Sequence, residues 1–178
     1  MSFAVYLELD QSTDDLLCDI GNRILPAQDS VITPRTFGHA HHLTVAVYAD
    51  IDIDVATETL ETMTDELSGL SVSMPGIGCF MGKTAVLFAA PLPTPRLMQF
   101  HEKYHALSKS KNKALSFYRP GSWFPHVTIA SGLTGDQLGA AVSNISKNWT
   151  NLEGFLTKAC IVSLTPTRKI WSKNIPAK

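Results

Sequence analysis

The chain has 178 residues, 44% hydrophobic and 17% charged, enough for one substantial core and too apolar for a disordered segment. Lys and Arg total 15 against 16 Asp and Glu, a formal net charge of −1, which argues against a protein gripping long duplex nucleic acid through a basic face. Cys18, Cys79 and Cys160 are odd in number, far apart and in no C-x-x-C, so neither a disulfide framework nor a cysteine zinc site is expected. No run approaches the roughly 18 apolar residues of a membrane span, and Glu8 and Asp10 interrupt the first apolar stretch. The expectation is a soluble, cytoplasmic monomer with no membrane partner.

Residues 3–9 alternate Phe3, Val5, Leu7 and Leu9 with Ala4, Tyr6 and Glu8, the period of a strand. Ser12 offers an N-cap with Asp15 three residues on, and Leu16, Leu17, Ile20 and Ile24 recur at helical spacing up to Pro26. A loop rich in turn formers (Pro26, Asp29, Ser30, Pro34, Gly38) leads into a strand over 42–48. Ala56, Leu60, Met63 and Leu67 mark a helix stopping near Gly69, and 71–80 reads as a strand broken by Pro75, Gly76 and Gly78.

The pattern then restarts. A strand over 85–90 precedes a helix over 95–110 with Leu97, Phe100, Tyr104 and Leu107 on one face. A polar loop runs to Pro125 and a strand covers 126–131. Thr134 with Gln137 makes a capping box for a helix carrying Leu138, Ala141, Val142, Ile145 and Trp149. A strand over 155–164 comes next, with a short one at 169–171. Both halves read strand, helix, loop, strand, helix, strand, at an interval of about 80 residues. They share text as well: Ala4-Val5 returns as Ala85-Val86, and His42-Leu43-Thr44-Val45 as His126-Val127-Thr128-Ile129. One α+β domain over 1–178 is expected, built of duplicated lobes at about 1–82 and 83–178, with terminal strands free to exchange between them.

Residues two apart on a strand share a face. His42 and Thr44 therefore point away from Leu43, Val45 and Val47, and His126 and Thr128 away from Val127 and Ile129. If an approximate two-fold axis relates the halves, the two His-x-Thr pairs converge on a cleft. Two imidazoles suit a metal-free phosphodiester reaction: one takes a proton from the attacking oxygen while the other gives one to the leaving oxygen. The threonine hydroxyls can hydrogen-bond the non-bridging phosphate oxygens. The roles of acid and base stay open at this level.

H-φ-T-φ in each half, with Trp123-Phe124-Pro125-His126-Val127-Thr128-Ile129-Ala130 as the stronger copy, resembles the 2H phosphoesterase superfamily, which includes 2′-5′ RNA ligase-like proteins and 2′,3′-cyclic phosphodiesterases. Gly76-Ile77-Gly78-Cys79-Phe80 followed by Val86-Leu87-Phe88-Ala89 resembles the family's crossing into its second lobe. The resemblance implies a bilobal α+β fold with two antiparallel-sheet lobes flanking a central cleft. It also implies no metal or other cofactor, and His42, Thr44, His126 and Thr128 as the active residues. The expected activity is hydrolysis of a 2′,3′-cyclic phosphate or 2′-5′ phosphodiester of a nucleotide or RNA end. The first motif continues Ala46-Val47-Tyr48, without the Phe-Leu-Gly ending of many RNA ligase-like members, which leaves the substrate open.

Before the second motif, Lys109, Lys111, Lys113 and Arg119 interleave with Tyr118, Trp123 and Phe124. Positive charge with aromatic faces suits a phosphate and a stacked base, and Arg35 and Phe37 before the first motif invite the same reading. His39 and His41 read as bystanders. Two alternatives stand beside the phosphodiesterase. One is a non-catalytic nucleotide or RNA-end binding module. The other is a zinc metallopeptidase through His101-Glu102-Lys103-Tyr104-His105, an H-E-x-x-H on a predicted helix whose histidines fall on a flank of the apolar face. Its extended form needs a glycine and a third histidine where this chain has Ser108 and Lys111.

Overall fold

The structure, a computed structural model, describes residues 2–24, 31–108 and 114–177. The loop residues Pro26, Asp29 and Ser30 and the lysines 109, 111 and 113 lie outside the described residues. Strand β1 (Phe3–Leu9) is buried along its whole length, because β7 (Leu152–Leu164) and β2 (His42–Tyr48) pair with it on either side. The antiparallel sheet runs β3 (Ser71–Met74), β7, β1, β2, β6 (Val127–Leu133), β5 (Ala85–Ala90), β4 (Gly76–Phe80), with β8 (Thr167–Asn174) also on β7. β7 and β8 thus come after β6 in sequence yet pair with strands of the first half. β2 and β6 meet at a single register pair, Leu43 with Val127. The sheet is narrowly joined there, and the two His-x-Thr motifs flank the junction.

Helices α1 (Gln11–Ile24), α2 (Ile53–Met63), α3 (Pro95–Leu107) and α4 (Gly135–Ser146) bury Leu17, Leu60, Met63, Leu97, Tyr104 and Leu138 in one core with Val5, Leu7, Leu43, Val127 and Ile129. The other sheet face carries a small cluster of Ala4, Tyr6, Cys160 and Val162, with Val47 against it. That uneven covering leaves the motif face open. Leu107, read as part of the apolar face of α3, is 51% exposed at the helix end. The capping box of α4 forms as its sequence predicts, Thr134 accepting from the Gln137 backbone. The cap of α1 lies two residues earlier than expected. Asp10, not Ser12, accepts from the Thr13 backbone at 3.0 Å, and it also takes the Phe155 N–H of β7 at 2.7 Å. Against the effect of burial, the Ser12 hydroxyl, which also donates to it, and these backbone bonds hold its carboxyl down to about 2.

Strict alternation fails in both motif strands at the same place. In β1–β2, Val5 pairs with Ala46 but Tyr6 with Thr44, so Val45 is an extra residue. In β5–β6, Leu87 pairs with Ala130 but Phe88 with Thr128, so Ile129 is extra. Each is a β-bulge immediately after the His-x-Thr. The bulge changes the face of the residues beyond it: Val47, expected in the core beside Leu43 and Val45, lies on the open face with His42 and Thr44. It also sets the true equivalence of the halves. Tyr6 corresponds to Phe88 and Val5 to Leu87, so the shared Ala-Val dipeptides are one residue out of register.

Candidate active site

His42 and Thr44 project from β2 into a cavity of about 330 Å³ that Thr128 of β6 also lines. His126 and Thr128 line an adjoining cavity of about 630 Å³, and the two share Tyr118, Thr128 and Ser131. Together they form one cleft across the β2–β6 junction, of a size that suits a small-molecule ligand. All four motif side chains are half-buried.

The two imidazoles are held in the same way. His42 Nδ1 is 2.8 Å from the Ala40 carbonyl, and His126 Nδ1 is 2.9 Å from the Phe124 carbonyl. A carbonyl oxygen can only accept, so Nδ1 carries the hydrogen in both rings and Nε2 is the nitrogen left for a ligand. Burial depresses both groups below the ordinary imidazole value, His42 to about 4 and His126 in the same direction.

Aromatic rings enclose both histidines. Tyr6 stacks on His42, while Phe80 meets His126 edge-on at 4.9 Å and Phe88 lies tilted at 5.5 Å. His39, read as a bystander, lines the first cavity and bonds Tyr6. These neighbours were invisible to motif reading because they depend on strand register. The signal available was an aromatic residue in each half, one residue beyond the shared dipeptide's alignment.

The residues read as ligand-binding divide into two groups. Tyr118, Phe124 and Phe37 line the cleft; Phe37 and Phe124 are each 54% exposed, and the Tyr118 ring is 6.5 Å from that of His126. Trp123 touches the larger cavity but is mostly buried, and its indole N–H donates to the Thr44 carbonyl at 3.0 Å. The two arginines are engaged elsewhere. Arg35 bonds Asp14 and Asp15 at the start of α1, and Arg119 Nε donates to the Ala114 carbonyl at 2.7 Å. Asp14 in turn accepts the His41 backbone N–H at 2.7 Å and faces His41 Nδ1 at 2.6 Å, so His41 anchors the start of β2.

The H-E-x-x-H helix has a structural use. His101 is fully buried, not on a surface flank, and stacks on Trp123 with centroids 4.0 Å apart and planes 1° from parallel. Its Nε2 is 2.9 Å from the Tyr118 carbonyl, and His105 Nε2 is 3.3 Å from that of Val45. Among the described residues, no three His, Cys, Asp or Glu side chains are grouped to hold a metal. No helix among them is long and apolar enough to cross a membrane.

The bilobed antiparallel sheet with one His-x-Thr on each side of its junction is the arrangement that the resemblance to the 2H phosphoesterases implies. The sequence matches the family model of the 2′-5′ RNA ligase superfamily over residues 18–167, and the chain belongs to that superfamily. Its fold is similar to TT0787 of Thermus thermophilus (14% identity, 100% of both chains, TM-score 0.66). It is similar also to E. coli LigT complexed with 3′-AMP (9% identity, 97% of this chain and 96% of that one, TM-score 0.58). Kluyveromyces marxianus Usb1 with uridine monophosphate shares 10% identity over 98% of each chain, TM-score 0.55. No curated protein matches the sequence.

Proposed function

We propose that the chain is a metal-independent phosphodiesterase that hydrolyses a 2′,3′-cyclic phosphate or a 2′-5′ phosphodiester of a nucleotide or RNA end. The observation that carries this reading is the paired Nδ1–carbonyl bond of His42 and His126 on the two sides of one cleft. With Nδ1 protonated, a neutral ring offers a lone pair on Nε2 and a charged ring offers an Nε2–H, so one arrangement serves both proton transfers. One Nε2 removes a proton from water as its oxygen bonds phosphorus. The bond from phosphorus to the leaving ribose oxygen breaks, and the other Nε2–H protonates that oxygen. Thr44 and Thr128 donate to the non-bridging oxygens, where negative charge concentrates.

Nucleotide ligands are supported by the superfamily and by its relatives solved with 3′-AMP and uridine monophosphate. Phe37, Tyr118 and Phe124 offer the faces on which a base would stack. The test is turnover of 2′,3′-cyclic nucleotides and 2′-5′ oligoadenylates with and without EDTA, alongside His126→Ala. EDTA-resistant turnover lost in the variant is expected. Tight binding of these nucleotides without turnover would instead make the chain a binding module, and turnover lost to EDTA would implicate a metal.

A further inference from the structure

Around the two imidazoles the halves differ in what each ring leans on. Tyr6 pairs in register with Thr44 and Phe88 with Thr128, so the two aromatic residues hold equivalent places. Tyr6 is 2% exposed, and its ring lies face to face with His42, centroids 4.2 Å apart and planes 26° from parallel. Phe88 offers His126 a tilted contact and has no hydroxyl. The Tyr6 hydroxyl is 3.0 Å from His39 Nδ1. Burial raises the Tyr6 phenol far above its ordinary value and depresses His39, so both groups are neutral at physiological pH. Among the described residues, the buried His39 Nε2 has no hydrogen-bond partner, a cost that a solvated bystander does not carry.

We propose that Tyr6 and His39 are a positioning pair for His42, the Tyr6 face fixing the plane of the imidazole and the bond to His39 fixing the Tyr6 ring. The proposal rests on the two-histidine reading above. The Nδ1–carbonyl bond restrains one atom of the His42 ring; a stacked neighbour restrains its tilt as well. The negative π face also stabilises the imidazolium whenever His42 holds a proton. His126 lacks this support, so changes at Tyr6 act on one imidazole of the two. Among the described residues, the other titratable groups near His42 are few. Glu8 faces it across the β1–β2 pair and is bonded to Lys169 at 2.6 Å, with Lys158 also near. Cys160 of β7 lies opposite Tyr6, and His41 adjoins in the chain.

The test uses Tyr6→Phe, Tyr6→Leu, His39→Asn and His39→Ala in the full chain. Imidazole ¹⁵N NMR titration reads His42 and His126 together and needs no substrate. Tyr6→Leu and His39→Ala are expected to shift the His42 titration and leave that of His126 in place, with smaller effects from Tyr6→Phe and His39→Asn. In turnover of a 2′,3′-cyclic nucleotide, Tyr6→Leu is expected to lower kcat roughly tenfold to a hundredfold with KM nearly unchanged, and Tyr6→Phe to recover most of it. An unmoved His42 titration in folded variants, or equal shifts at both histidines, overturns the positioning pair. If Tyr6→Leu fails to fold, the half-exposed His39 supplies the same comparison. Turnover that survives His42→Ala overturns the two-histidine reading instead, and the NMR result then decides the pair by itself.

Discussion

His42 opens β2 and His126 immediately precedes β6, strands that touch at one register pair, and the two rings make the same hydrogen bond: Nδ1 to the carbonyl two residues earlier, at 2.8 and 2.9 Å. Each is followed, after its threonine, by a bulge at the same offset. The duplication therefore preserves the ring orientation as well as the motif. The surroundings differ, with Tyr6 and His39 on one side and Phe80 and Phe88 on the other.

The threonines are expected to act through their hydroxyls. Thr44→Val and Thr128→Val keep the strand shape and remove one donor each, and kcat is expected to fall about a hundredfold in either. Thr→Ser at the same positions should retain most of the activity. Steady-state kinetics on a cyclic nucleotide check this, with KM as the control for binding.

The pH profile is set by the two imidazoles. The working free protein needs one ring neutral and one protonated. His42 is depressed to about 4 and His126 lies below the ordinary value of about 6.5. The window in which one is neutral and the other charged therefore lies on the acid side of neutral, and kcat/KM should peak there and fall by pH 8. The kcat profile should sit at higher pH, because a bound phosphate anion favours imidazolium. A kcat/KM flat from pH 4 to 8 would contradict the assignment.

Gly78 couples β4 to the second site. It pairs with Phe88, and a Cβ there would fall 2.5 Å from the Phe88 ring. That ring is boxed in by Phe80 at 4.4 Å and Phe124 at 5.7 Å, and it packs against His126. Gly78→Ala is expected to displace Phe88, lower stability by about 1–3 kcal/mol and reduce kcat. Chemical denaturation and kinetics on the same sample test both effects.

Acid should destabilise the fold well above the carboxylate range. His101 is fully buried and depressed to about 4, against about 6.5 when unfolded. Between those values the unfolded chain binds the extra proton, so stability is full above about pH 6.5 and falls as pH drops toward 4. The loss from this residue is about 3 kcal/mol in order of magnitude, and His42 adds in the same direction. The urea midpoint should fall from pH 7 to pH 4.5, less steeply in His101→Phe, which keeps a ring on Trp123.

The facing of each His-x-Thr was legible in the sequence because it is local: a two-residue period alone sets both side chains on one face. The α4 capping box was legible for the same reason. The features that eluded the sequence depend on pairing. Tyr6 and Phe88 gain their places from register, and the bulges that align them also misalign the shared Ala-Val dipeptides and turn Val47 outward. Arg35 beside Phe37 invites a phosphate-and-base reading from the sequence, and its bonds to Asp14 and Asp15, about twenty residues away in the chain, are not visible there. The H-E-x-x-H text gave no sign of where its rings go, which is onto Trp123 for His101 and to the Tyr118 and Val45 carbonyls for His101 and His105.

The most direct test of the two-histidine chemistry is kcat for His42→Ala, His126→Ala and the double variant, measured with EDTA present on whichever 2′,3′-cyclic nucleotide or 2′-5′ oligoadenylate the protein turns over fastest. Groups that work as a unit are non-additive, so each single loss should approach that of the double variant, at about a hundredfold or more. Independent, additive losses, or a single variant that keeps wild-type turnover, would contradict it.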